Sequence, residues 1–403
     1  MKLLKIKQHF ERDQINDEQL ESLVRERIIQ SGITLKAGAT VAIAVGSRGI
    51  ANLQRIVKAT AQTVKELGGE PFIVPAMGSH GGATAEGQQE VLETYGVTEA
   101  YTSAPIRSSM EVVELPQDDL DNKVYMDAQA YQAEATIIIN RVKLHTDFHG
   151  PVESGLMKMC VIGLGKHTQA LEIHSYGVRG LKELMPMTAR QILQHGNIIL
   201  GIALAENAYD ETAIIRALRP SEIESGEMAL LEWVRGHMPQ LPIDRLDVLI
   251  VDEFGKDISG SGMDTNIIGR IKIRGEQEPN SPKIRNIIVL DLTDASHGNA
   301  VGMGLADLVT RKFYEKIDFK ATYENTLTSN FLERGKLPIV AENEQLALQY
   351  ALRNCGIKDP AAAKIIKIKN TLTLDEMWVS PAVMAELEGR QNIEMTHDML
   401  ELL

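Results

Sequence analysis

The stretch "HTDFHGPVESGLMK" at positions 145–158 sets two histidines, an aspartate, a glutamate and a lysine among glycines. It follows the apolar run "ATIIIN". Imidazoles with ordinary acidity exchange protons near neutral pH and serve as acid or base. Lys158 lies in "SGLMKMCVIGLG", between methionines and aliphatic residues. Such a lysine is either solvated at its tip or partly desolvated in an apolar wall. Desolvation disfavours the ammonium and yields a nucleophilic amine. Sixteen residues further on is His174, in "LEIHSYG". Two more reactive heads follow glycines upstream, Arg48 in "VGSRG" and His80 in "MGSHGG". A guanidinium can clamp a carboxylate at two points. Two histidines can act as acid and base on opposite faces of one carbon. A lysine and a third histidine could hold a cofactor or a metal. The set suits inversion of a small hydroxy acid.

These heads sit where strands end. "TVAIAVGS", "EPFIVPAMGSHGG", "EATIIINRVK" and "GNIILGIALAEN" read as strands, the first three running into polar loops. "NLQRIVKATAQTVKELG" and "TAEGQQEVLETYG" between them read as amphipathic helices, with Thr84 as a cap for the second. Strands alternating with helices imply a parallel sheet covered on both faces. In such sheets ligands collect beyond the carboxyl ends of the strands. A second set follows in "DRLDVLIVDEFG", "RNIIVLDLT", "KLPIVAEN" and "AKIIKIKNT", with a helix in "NEQLALQYALRNCG". The expectation is two α/β domains with mainly parallel sheets and the active site in the cleft between them. The prolines in 207–243 place the join near its start, giving domains 1–207 and 208–380. The terminal stretch 381–403 is expected to be helical and to pack back on the first domain.

"GLGKH" at 163–167 lacks the spacing and hydroxyl of a phosphate-binding loop, and "GNAVGMGLAD" at 298–307 lacks the dinucleotide fingerprint. Both read as turns or helix starts. The chain has 403 residues and a net charge of −13, from 42 basic and 55 acidic residues. An acidic chain is poorly suited to nucleic acid or anionic membrane through bulk electrostatics. No apolar run is long enough to span a bilayer, and the start lacks the apolar core of a signal peptide. With only Cys160 and Cys355 there is no disulfide framework. The expected setting is cytoplasmic, without nucleic-acid or membrane partners.

Over most of its length the chain resembles the nickel-dependent lactate racemase family, most clearly over 41–180 and 253–270. The resemblance implies that Lys158 carries a nickel-pincer nucleotide, pyridinium-3-thioamide-5-thiocarboxylic acid mononucleotide nickel, and that His174 completes the nickel coordination. It implies His80 and His145 as the catalytic pair and Arg48 as the carboxylate clamp. It also implies proton-coupled hydride transfer through the cofactor, and the cofactor-synthesis enzymes as partners. Lys143, Ser154 and Met157 would then lie against the cofactor. "GKDISGSGMDTNIIGR" at 255–270 would offer Lys256, Asp264 and Asn266 to a small-molecule carboxylate substrate. The family's aspartate before the arginine is Val45 here, and its "GGRKS" lysine loop is "GLMKM". These differences point to a racemase or epimerase for another hydroxy acid or a sugar acid. Two other readings stay open. One is a cofactor-free α/β binding protein with a degenerate site. The other is a hydroxy-acid enzyme with an ordinary divalent metal on His145, His149 and His174.

Overall fold

The computed structural model describes residues 2–47 and 49–402. The chain forms two compact units, Glu11–Met238 and Pro239–Leu403, the latter joined by Met1–Phe10. Its strands are β1 (Lys2–Gln8), β2 (Thr40–Val45), β3 (Glu70–Pro75), β4 (Val112–Leu115), β5 (Val124–Asp127), β6 (Ala135–Arg141), β7 (Ile198–Glu206) and β8 (Thr212–Leu218). The second half adds β9 (Arg245–Phe254), β10 (Lys283–Leu292), β11 (Leu308–Thr310), β12 (Ile339–Ala341), β13 (Ile365–Ile368), β14 (Glu376–Val379) and β15 (Ile393–Glu401). Both units are α/β with mainly parallel sheets. None of the described helices is long and apolar enough to cross a membrane.

In Glu11–Met238 the sheet order is β3-β2-β6-β7-β8. The first four strands run parallel and β8 is antiparallel to β7. Strand β2 shows why. Val41, Ile43 and Val45 enter one core, and Ala42 and Ala44 enter the other. A strand buried on both faces must be apolar at every position. Helix Leu53–Glu66 covers one face with Leu53, Ile56, Val57, Thr60, Ala61 and Val64 buried at helical spacing. Burying one such aliphatic side chain fully contributes about 1.5–3 kcal/mol. Helix Ala85–Thr94 starts where expected, with the Thr84 hydroxyl accepting the Gly87 N–H at 3.1 Å.

The other unit holds an eight-stranded sheet, β12-β11-β10-β9-β13-β14-β1-β15. Its β12-β11-β10-β9-β13 half is parallel and the β14-β1-β15 half antiparallel.

Two boundaries differ from the sequence reading. The join falls at 238/239, not 207/208. Strand β8 pairs with β7, and helix Pro220–His237 buries Ile223, Leu230, Leu231 and Val234 in the first unit's core. Pro220 is not a linker signal. It opens that helix, where its missing N–H costs nothing. The stretch 381–403 is not one helix packed on the first domain. Helix Pro381–Leu387 ends before Gly389, whose φ of +81° takes the chain into the left-handed region. Strand β15 then pairs antiparallel with β1, the other end of the chain.

Helix Pro220–His237 also carries Glu227, which is fully buried. One carboxylate oxygen accepts the Met157 N–H at 2.8 Å. A Cβ at residue 155 would lie 2.4 Å from the Glu227 carboxyl carbon, so only glycine lets backbone and carboxylate approach this closely. Burial pushes the Glu227 carboxyl up to about 7, against the pull of the Met157 and Leu156 N–H groups. A folded-state value above the unfolded 4.5 means that the native state holds the proton more tightly. Stability linked to Glu227 is therefore greatest below pH about 4.5 and falls as pH rises towards about 7, by about 3 kcal/mol. Glu227→Gln should remove this slope. Urea unfolding between pH about 4.5 and about 8 should show the variant gaining about 3 kcal/mol on wild type towards alkaline pH. A pH-independent difference would contradict the assignment.

Candidate active site at the carboxyl edge of the five-stranded sheet

Strands β3, β2 and β6 are neighbours whose ends fall level, with Val45 paired to Pro75 on one side and Ile139 on the other. Their outgoing loops therefore emerge side by side. The loop after β2 holds Ser47, whose hydroxyl lies 2.5 Å from His80 Nδ1 in the loop after β3. Arg48 lies outside the described residues. Close by, the Ala51 N–H donates to Glu206 Oε1 at 2.7 Å, and the other Glu206 oxygen is paired with Arg141 at the end of β6.

The loop after β6 closes on itself through a backbone pair. Lys143 N–H donates to Ser154 O at 2.7 Å, and Ser154 N–H to Lys143 O at 3.2 Å. Glu153 is 0 % exposed and gathers the loop. It accepts the His145 N–H at 2.7 Å, the Gly150 N–H at 3.2 Å and an Arg235 N–H at 2.8 Å. His149 Nδ1 is 3.3 Å from the same carboxylate. Asn140 Nδ2 donates to Gly155 O at 2.9 Å, tying β6 to the start of the lysine turn.

Within this loop the His145 ring leans on Phe148, with centroids 4.5 Å apart. His145 Nδ1 accepts the Asp147 N–H at 3.1 Å, and His145 Nε2 lies 2.7 Å from Lys158 Nζ. A neutral imidazole has one donor and one acceptor nitrogen. With Nδ1 accepting, a neutral ring carries its proton on Nε2, the atom that faces the lysine amine. Lys158 ends the short helical turn Leu156–Lys158, and a π turn follows at Met159–Gly163. Such turns recur at functional sites. The π turn also touches the His80 loop, since a Cβ at Gly78 would sit 2.9 Å from the Ile162 side chain.

His174 is half-buried near the end of helix Lys166–Ser175. Burial holds its imidazole below the ordinary range, the charged form of Lys158 adds to this, and Asp147 opposes it. A neutral imidazole is a competent nickel ligand. The residues expected from sequence thus divide. His145 and Lys158 come together, His174 lies within electrostatic reach of Lys158 and Asp147, His80 stands on the adjoining loop, and the Lys143–Ser154 pair closes the loop base. Met157 is 0 % exposed and belongs to the core.

Lys256, Asp264 and Asn266 belong to the other unit and are engaged within their own segment. Lys256 Nζ donates to Gly260 O at 2.6 Å. Asp264 caps the turn Thr265–Ile268, accepting both the N–H and the side-chain amide of Asn266 at 2.9 Å. Sequence reasoning missed Ser47 and Arg235 and gave Glu153 no role. Arg235 comes from a distant helix and has no local signal. Glu153 had one, an acidic residue inside a histidine loop.

Among the described residues no three His, Cys, Asp or Glu side chains are grouped to hold a metal by themselves. A pincer-type nickel group brings its own sulfur and carbon donors. It asks the protein for one amine and one imidazole, and Lys158 and His174 are chemically suited to that pair.

No family model matches this chain, and no curated protein matches its sequence. Solved structures do match its fold. The lactate racemase apoprotein from Thermoanaerobacterium thermosaccharolyticum superposes with a TM-score of 0.54 at 12% identity, over 92% of this chain and 99% of that one. A structural-genomics protein from Thermotoga maritima gives 0.53 at 10% identity, over 87% and 92% of the two chains. At such identities the likeness establishes a shared architecture, a lactate racemase-like fold.

Proposed function

We propose that this chain is an isomerase, a racemase or epimerase that inverts the hydroxyl-bearing carbon of a small 2-hydroxy acid or sugar acid. In this reading it works with a nickel-pincer nucleotide attached at Lys158. The observation that carries the reading is the 2.7 Å contact of Lys158 Nζ with His145 Nε2, with His174 within electrostatic reach of Lys158. The racemase-like fold supports it.

When bound, the pincer group supplies a reversible acceptor for the hydrogen on the carbinol carbon. The chain's own residues do the rest. Lys158 offers the amine for attachment, and His174 offers a neutral imidazole to the metal. Arg48 holds the substrate carboxylate in place. His80, held at Nδ1 by Ser47, presents Nε2 for the hydroxyl proton of one antipode. His145 holds a proton at Nε2 for the alkoxide of the other. For the reverse direction the roles exchange. Each acid–base group of this kind is worth roughly 10²–10⁴-fold in rate.

The test is production of the protein alongside enzymes that make the pincer nucleotide, followed by intact-mass and nickel analysis. Wild type should carry an adduct of a few hundred daltons on Lys158 and retain nickel. Lys158→Ala should lose both, and full activity in that variant would sink the proposal. His174→Ala should keep the adduct and lose nickel on chelation. His80→Ala should keep nickel while turnover of a chiral hydroxy-acid panel falls by roughly 10²–10⁴-fold. Undiminished turnover there would remove His80 from the mechanism.

A further inference from the structure

The segment "GLGKH" fits no nucleotide-binding pattern, yet its lysine is among the most deeply buried charges in the chain. Lys166 is 0 % exposed and has a φ of +55°, a backbone region costly for a residue with a Cβ. Its ammonium lies 2.9 Å from Asp127 Oδ2. It donates to the carbonyl of Pro75, the last residue of β3, and to Gln88 Oε1 at 3.3 Å. Gln88, equally buried, donates its side-chain amide to Gly78 O at 2.8 Å and His80 O at 3.4 Å. Asp127 is anchored in turn, its other oxygen accepting the Ala130 N–H at 2.8 Å.

This arrangement grips the loop Ala76–His80 at both ends. Lys166 fixes where the chain leaves β3, and Gln88 fixes the backbone at Gly78 and at His80 itself. Stability alone does not account for it. Buried ion pairs are often replaced by apolar residues with no loss, and here the lysine also sits on strained backbone. Burial disfavours the Lys166 ammonium, and Asp127 works to keep the charge.

We propose that Lys166 and Gln88 are positioning residues for His80, setting the place of its ring beside Ser47 through the main chain of the loop. The role of the positioned ring rests on the racemase reading above; the tether does not. Two variants of the full chain test it. Gln88→Leu removes the tether and leaves the Lys166–Asp127 pair. Lys166→Met with Asp127→Asn removes both charges and keeps an acceptor for the Ala130 N–H. Histidine-labelled protein gives imidazole ¹⁵N signals, with His80 assigned by His80→Gln. In at least one folded variant the His80 signal should move while those of His145 and His174 stay. On cofactor-loaded enzyme kcat should fall by about a hundredfold with KM little changed, as expected for a misplaced acid–base group. Folded variants whose His80 signal coincides with wild type would overturn the proposal. A moved signal in a protein that inverts no hydroxy acid would uphold the tether and refute the racemase reading.

Discussion

Two buried carboxylates on and against helix Pro220–His237 hold the reactive cluster in place. Glu153, in the loop, takes the main-chain N–H groups of His145 and Gly150 and the guanidinium of Arg235 on the helix. Glu227, on the helix, takes the N–H of Met157 at the lysine turn. Taking a carboxylate out of water is costly unless donors replace the lost hydration. Glu153 has that replacement, including a cation. Glu227 has backbone donors and, among the described residues, no cation beside it, and its carboxyl accordingly holds its proton up to about 7. Contacts from this helix thus add to the Lys143–Ser154 backbone pair and the Asn140–Gly155 bond in holding the loop and the lysine turn. Those contacts explain why the first unit extends to Met238. A unit ending near residue 207 would lack both Glu227 and Arg235.

Strands β2, β3, β6 and β7 of the first sheet were legible because burial on both faces leaves a local trace, whereas the edge strand β8 was not. "TVAIAV" is apolar after its first residue, and those apolar residues are all buried. The helix start at the Thr84 cap was legible for the same local reason. What escaped was non-local. β15 exists because β1, almost four hundred residues earlier, offers a free edge to pair with. The short strand β11 depends on the sheet around it more than on its own three residues, whereas β12 falls inside the expected strand "KLPIVAEN". The proline at 220 was misread because the same residue breaks a helix in its interior and begins one at its first position.

The candidate site divides along the same line. Residue types with reactive heads are visible in a sequence, and Lys158 and His145 do meet, Nζ to Nε2 at 2.7 Å. The groups that hold them are ordinary residues on other segments, and Arg235, Glu227 and Gln88 become meaningful only once the fold brings them close. In the second unit Asp264 accepts an N–H two residues on, the standard start of a helical turn. Composition alone does not separate a cap from a ligand-binding group.

The two histidines of the proposed acid–base pair are fixed at the same ring atom by chemically different partners, and this difference has consequences. His145 Nδ1 faces a main-chain N–H, which can only donate. Its neutral ring is therefore held with the proton on Nε2, and a second proton on Nδ1 would break the tether. His80 Nδ1 faces the Ser47 hydroxyl, which rotates to donate or accept. That ring keeps its tether whether neutral or doubly protonated. A group that must take up a proton without losing its place needs the second kind of partner. A group that presents a proton from a defined tautomer is served by the first. On the racemase reading, the asymmetry gives His80 the stronger fitness as base and His145 as acid for one direction of inversion. The reverse direction then runs against the tether at His145, which Asp147 can offset because its carboxylate lies 3.8 Å from the same nitrogen.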